Sequence, residues 1–79
     1  MMTDGEKIIE TIAKAVKADP ATINDETKMK EDLNFKSSNY FSVIAVLEEM
    51  TNKKVTYAQL RKYKTVGDIK NFVEELKAQ

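Results

Sequence analysis

The chain has 79 residues, enough for one domain with a thin core. It contains no cysteine and no histidine, which excludes disulfides, thiolate metal sites and the usual general base. Its 13 basic and 13 acidic residues cancel, which argues against general nucleic-acid binding. No apolar run approaches the roughly 20 residues needed to span a bilayer, and Met1 to Glu6 lacks the basic-then-apolar layout of a secretory leader. A cytoplasmic location is therefore expected. No Asp-rich loop has calcium-binding spacing, so no metal site is expected.

Thr3 followed by Glu6 is a capping-box pattern. Ile8, Ile9, Ile12, Ala13 and Val16 then recur at helical spacing, so a helix is predicted over about residues 4–17. Glu10 and Lys14 form an i,i+4 pair on its polar face. Pro20 disfavours helical geometry at Asp19 and should stop the helix by then. Asp19-Pro20 is also suited to opening a short helical turn. Residues 19–36 make a long connection, for which Ile23, Met29, Leu33 and Phe35 are the apolar anchors.

A second helix is predicted from Ser37 or Ser38 until Thr51-Asn52-Lys53-Lys54. Phe41, Ile44, Leu47 and Met50 mark one edge of its apolar stripe, and Tyr40, Val43 and Val46 widen it. A helix apolar on most of its circumference should be the most buried element. Phe41 and Leu47 are placed in its buried stripe, and Tyr40 in the core with its hydroxyl at the surface. Thr56 with Gln59 opens a short helix reaching about Lys62. Thr65 caps a last helix, with Asp68 at its favourable end and Val66, Ile69, Phe72, Val73 and Leu76 as its stripe. Strand-like alternation and internal repeats are both missing. The expected fold is an all-α bundle of three main helices and one short helix, a single domain over residues 1–79.

Charge is unevenly placed. Residues 37–51 hold Glu48 and Glu49 and no base, whereas residues 52–64 hold Lys53, Lys54, Arg61, Lys62 and Lys64 and no acid. Such a basic run is most often a solvated face; an anion-binding or nucleic-acid role is the less favoured reading, since no phosphate-binding glycine loop or nucleic-acid motif accompanies it.

Asp32-Leu33, with Ser37 four residues after the leucine and Leu47-Glu48-Glu49 downstream, resembles the acyl carrier proteins. That family's signature is Asp-Leu-Gly, two residues, then Ser-Leu. Asp19-Pro20-Ala21-Thr22-Ile23 and Tyr63-Lys64-Thr65-Val66-Gly67-Asp68 resemble its loop opening and the start of its last helix. The resemblance spans nearly the whole chain. The motif departs from the family at Lys36, where Asp is usual, at Ser38, where Leu is usual, and at Asn34, where Gly is usual. Asn accepts left-handed geometry, so the last change is compatible with the fold. Asn39 and Ser42 stand where acids are common on the recognition helix.

The resemblance implies that Ser37 carries 4′-phosphopantetheine through a phosphodiester, with acyl groups held as thioesters for fatty acid, lipid or secondary-metabolite synthesis. It implies a carrier rather than an enzyme, with no catalytic residue of its own. A phosphopantetheinyl transferase and acyl-transferring or acyl-activating enzymes would be its partners. A monomer is expected, with neither membrane nor nucleic acid engaged. Lys36 and Ser38 are the candidate contacts to the phosphate, although Lys36 reads equally as a solvated loop charge or a selector of transferase. Ser37 or Ser38 reads alternatively as a plain helix cap. The family shelters its acyl chain among the helices; Phe41, Ile44, Leu47, Tyr57, Leu60 and Ile69 are the candidate lining. The alternative function is an unmodified carrier-like module that binds a partner through its surface helix.

Overall fold

The computed structural model describes residues 2–79; Met1, which opens the N-terminal stretch read above, lies outside them. Helix α1 spans Asp4–Val16. Thr3 Oγ1 accepts the Glu6 N–H at 3.1 Å, and Glu6 Oε1 accepts the Thr3 N–H at 3.0 Å, which closes the capping box. Lys17, left-handed at φ 57°, ends the helix before the restriction from Pro20 applies. A 3₁₀ turn at Pro20–Thr22 follows, with the Asp19 carboxylate accepting the Ala21 N–H at 2.9 Å.

Helix α2 spans Ser37–Thr51 and stops at Asn52, left-handed at φ 55°. Helix α3 is one turn, Tyr57–Leu60, capped by Thr56 and Gln59. It is shorter than the reading to Lys62, because Arg61 and Lys62 lie in the turn that leads to α4. Helix α4 spans Val66–Ala78, capped by Thr65 and Asp68. The all-α architecture is as expected, three long helices and one short one.

The core takes Ile8 and Ile12 from α1, Val43 and Leu47 from α2, Leu60 from α3, and Val66, Ile69 and Val73 from α4. The buried face of α2 is Tyr40, Val43, Ile44, Leu47 and Thr51. It is rotated from the expected stripe, and Phe41 is 59% exposed rather than buried. The rotation arises because Tyr40 packs edge-on against Phe35 (4.9 Å between centroids) and against Tyr57 (5.7 Å). Phe41 instead stacks outside, on Tyr57, at 5.6 Å.

Tyr40 also departs from expectation at its tip. The residue is 1% exposed, and its hydroxyl is buried without a hydrogen-bond partner among the described residues. Burial, with a smaller contribution from Tyr57, raises its pKa above the ordinary 10.0. The folded state therefore favours the neutral phenol. This contribution is fully present below the unfolded value and is lost as pH rises through the folded one. The melting temperature should fall above about pH 10, and Tyr40→Phe should flatten that alkaline limb in a melting series over pH.

The long connection is anchored as its apolar residues suggest: Ile23, Met29 and Phe35 are buried and Leu33 is half-buried. It is also sewn to the start of α4. Met29 N–H donates to Lys64 O at 2.8 Å, Val66 N–H to Thr27 O at 3.0 Å, and Gly67 N–H to Asp25 O at 2.9 Å. Lys28 and Thr65 pair as an isolated antiparallel bridge, and Lys70 reaches Asp25 at 2.7 Å. Gly67 suits this approach, since a Cβ there would lie 3.1 Å from Asp25 O and the loop would have to give by a few tenths of an ångström.

Candidate functional site at the start of α2

The chain enters α2 through a turn closed by Asp32. Its carboxylate accepts the Lys28 N–H at 2.8 Å, while the Asp32 and Leu33 N–H groups donate to Lys28 O. Asn34 is left-handed at φ 50°, the geometry that made Asn an acceptable replacement for Gly. Phe35 N–H then donates to Met29 O at 3.0 Å, and its buried ring fixes where the helix begins.

Lys36 occupies the N-cap, extended at φ −108° and ψ 167°, and its side chain makes no capping bond. An ammonium has donors only, so it has nothing to offer the free N–H groups. Ser37 is the first helical residue, so neither serine is the cap. Ser37 and Ser38 are exposed, and their hydroxyls make no hydrogen bond among the described residues. Their N–H groups likewise meet no protein acceptor among those residues.

Asn39 organises the entry instead. Its Oδ1 accepts the Lys36 N–H and its Nδ2 donates to Ala15 O, both at 2.9 Å, which ties the start of α2 to the end of α1. An Asp at this position would keep the first bond and face Ala15 O with a carboxylate. Glu48 is similarly occupied, accepting the Val55 N–H at 2.9 Å across the turn to α3. The sequence reading missed both roles. An Asn three residues after the cap is a helix-start signal, whereas nothing local announces the Glu48 bond.

The exposed stripe of α2 is consequently Ser38, Phe41, Ser42, Ala45 and Glu49. Beside it the Arg61 guanidinium lies 5.7 Å from the Tyr57 ring centroid. Of the candidate acyl-lining residues, Ile44, Leu47, Leu60 and Ile69 lie in the core, Tyr57 is half-buried, and Phe41 stands on the surface. Phe41 therefore does not line an interior.

No protein-family profile matches the chain. Individual relatives do match. The acyl carrier protein of Phytoplasma mali is 33% identical over 70 residues, covering 89% of this chain and 83% of its own. The chain belongs to the acyl carrier proteins. The acyl carrier protein of Aster yellows witches'-broom phytoplasma is 34% identical over 64 residues, 81% of this chain and 84% of that one. That of Wolinella succinogenes is 28% identical over 69 residues, 87% and 91% respectively. This acyl carrier protein is an atypical member, with Lys36-Ser37-Ser38 at the motif. Among the described residues no helix is long and apolar enough to cross a membrane.

The start of α2 suits the phosphodiester that the family implies. An anion there would meet the N–H groups of Ser37 and Ser38, which have no protein acceptor among the described residues, and the positive end of a 15-residue helix.

Proposed function

We propose that residues 1–79 form one carrier domain that bears 4′-phosphopantetheine on Ser37 and holds acyl or related groups on it as thioesters. One observation carries this reading. Ser37 presents an exposed hydroxyl at the first position of α2, committed to no cap or other bond among the described residues. Bound there, the group would supply the thiol that this cysteine-free chain lacks. The chain's own part is to hold the hydroxyl outward and to surround its phosphate with donors: the N–H groups of Ser37 and Ser38, the Lys36 ammonium and the Ser38 hydroxyl. A cytoplasmic monomer, loaded by a transferase and served by acyl-transferring or acyl-activating enzymes in fatty acid, lipid or secondary-metabolite synthesis, is the setting we infer. Incubation with coenzyme A and a broad-specificity phosphopantetheinyl transferase should add one group by intact mass, mapped to Ser37. No mass increase with any transferase would favour an unmodified interaction module.

Lys36 bears on which enzymes act. A partner that expects an acid before the serine meets a cation here, and like charges at that contact slow association. Lys36→Asp should speed loading by a transferase that serves acidic carriers. The gain should shrink with salt, since screening sets in near about 10 Å at 0.1 M. The same change supplies the missing cap, so the unmodified variant should gain about 1 kcal/mol in a denaturant titration. Equal loading rates at low salt would remove charge at the motif from recognition.

A further inference from the structure

A cavity of about 190 Å³ opens between the loop at Lys28–Glu31 and the connection from α3 to α4. Its wall holds five cations, Lys28, Lys30, Arg61, Lys62 and Lys64, and one acid, Glu31. Glu31 is taken by Lys28 at 3.3 Å. The other four cations have no carboxylate partner among the described residues. The two sides of the cavity are held in register by the bond from Met29 N–H to Lys64 O and by the Lys28–Thr65 bridge.

Tyr40 is the one buried side chain in that wall, and its hydroxyl is the buried polar atom left without a partner. A buried hydroxyl is almost always hydrogen-bonded, so the orphan on a side chain that lines this cavity marks a donor without its acceptor. Its raised pKa keeps the proton on the oxygen and the donor intact. Three cations of the basic run, Arg61, Lys62 and Lys64, thus share one cavity wall with Lys28, Lys30 and the side chain that bears the unsatisfied donor.

We propose that this cavity binds a compact oxyanion. One oxygen accepts from Tyr40, and the free cations of the rim neutralise the charge. The hydroxyl is sealed from water, so the ligand enters by displacing rim side chains, which are long and exposed. The oxyanion has two sources: a small anion free in solution, or the carboxylate end of a group carried on Ser37, which precedes Tyr40 by three residues. The second source alone rests on the proposed function.

Sodium succinate and inorganic phosphate, titrated onto the unmodified chain and followed by amide shifts, test the site directly. Saturable shifts are expected at Lys30, Tyr40 and Arg61 to Lys64, and none with sodium chloride at matched ionic strength. Tyr40→Phe should melt higher than wild type, because it removes the orphan hydroxyl, yet bind succinate about tenfold more weakly. Arg61→Gln with Lys64→Gln should weaken binding without touching the core. In a second arm, Ser37 is loaded with succinyl or butyryl groups. Shifts with succinyl and not butyryl would identify the carried group as the source; shifts with free anion alone would identify a diffusible one. Failure of Ser37 to accept any group would defeat the proposed function and leave the first arm decisive. Shifts matched by chloride, or undiminished succinate binding in Tyr40→Phe, would overturn the proposal.

Discussion

Ser37→Ala is expected to abolish loading completely while leaving the fold unchanged. The serine hydroxyl is exposed and makes no hydrogen bond among the described residues, so its removal breaks nothing in the folded chain. The cap is Lys36, not Ser37, so the usual cost of losing a serine cap does not apply. Alanine is the best helix former, and a surface change of this kind stays within about 0.5 kcal/mol. Intact mass after transferase treatment, read beside a denaturant titration, separates chemistry from folding. Full loading of the variant, mapped to Ser38, would move the attachment one residue along α2.

Leu47→Ala should destabilise the protein by about 2–5 kcal/mol, whereas Phe41→Ala should cost about 1 kcal/mol or less. Leu47 is 1% exposed at the centre of the core; Phe41 is 59% exposed and touches chiefly the Tyr57 face. A domain of this size has only about 5–15 kcal/mol in hand, so the leucine variant should be partly unfolded near body temperature. Urea titrations of the two variants measure the contrast directly. Equal losses would mean that Phe41 is covered in solution, as it would be by self-association.

The starts of α1, α3 and α4 were legible because capping is local chemistry. Thr3 with Glu6, Thr56 with Gln59 and Thr65 with Asp68 each bond within three residues. Asn34 was legible for the same reason, its left-handed backbone being a property of one residue. The buried side of α2 was not. A helix apolar nearly all round gives periodicity no means of choosing between Tyr40 and Phe41; the choice was made by Phe35 and Tyr57, distant in sequence. The candidate site divides likewise. Ser37 could be found from spacing within the motif, but the free state of its hydroxyl depends on which residue becomes the cap. The basic cavity could not be found at all, since Lys28 and Lys30 join Arg61 and Lys64 only through the bonds from the loop to the start of α4.

Those bonds set which parts of the molecule open together. Thr27, Met29 and Asp25 share hydrogen bonds with Lys64, Val66 and Gly67, so the loop cannot peel away without stripping the first N–H groups of the last helix of their acceptors. Hydrogen exchange should therefore find the Met29, Val66 and Gly67 amides released in one cooperative step, slower than the single turn at Tyr57–Leu60. Breathing of the native protein is thereby directed to α3. That turn supports the aromatic stack beneath Phe41, so transient access to the interior beside α2 would come from α3 swinging out while the loop stays seated.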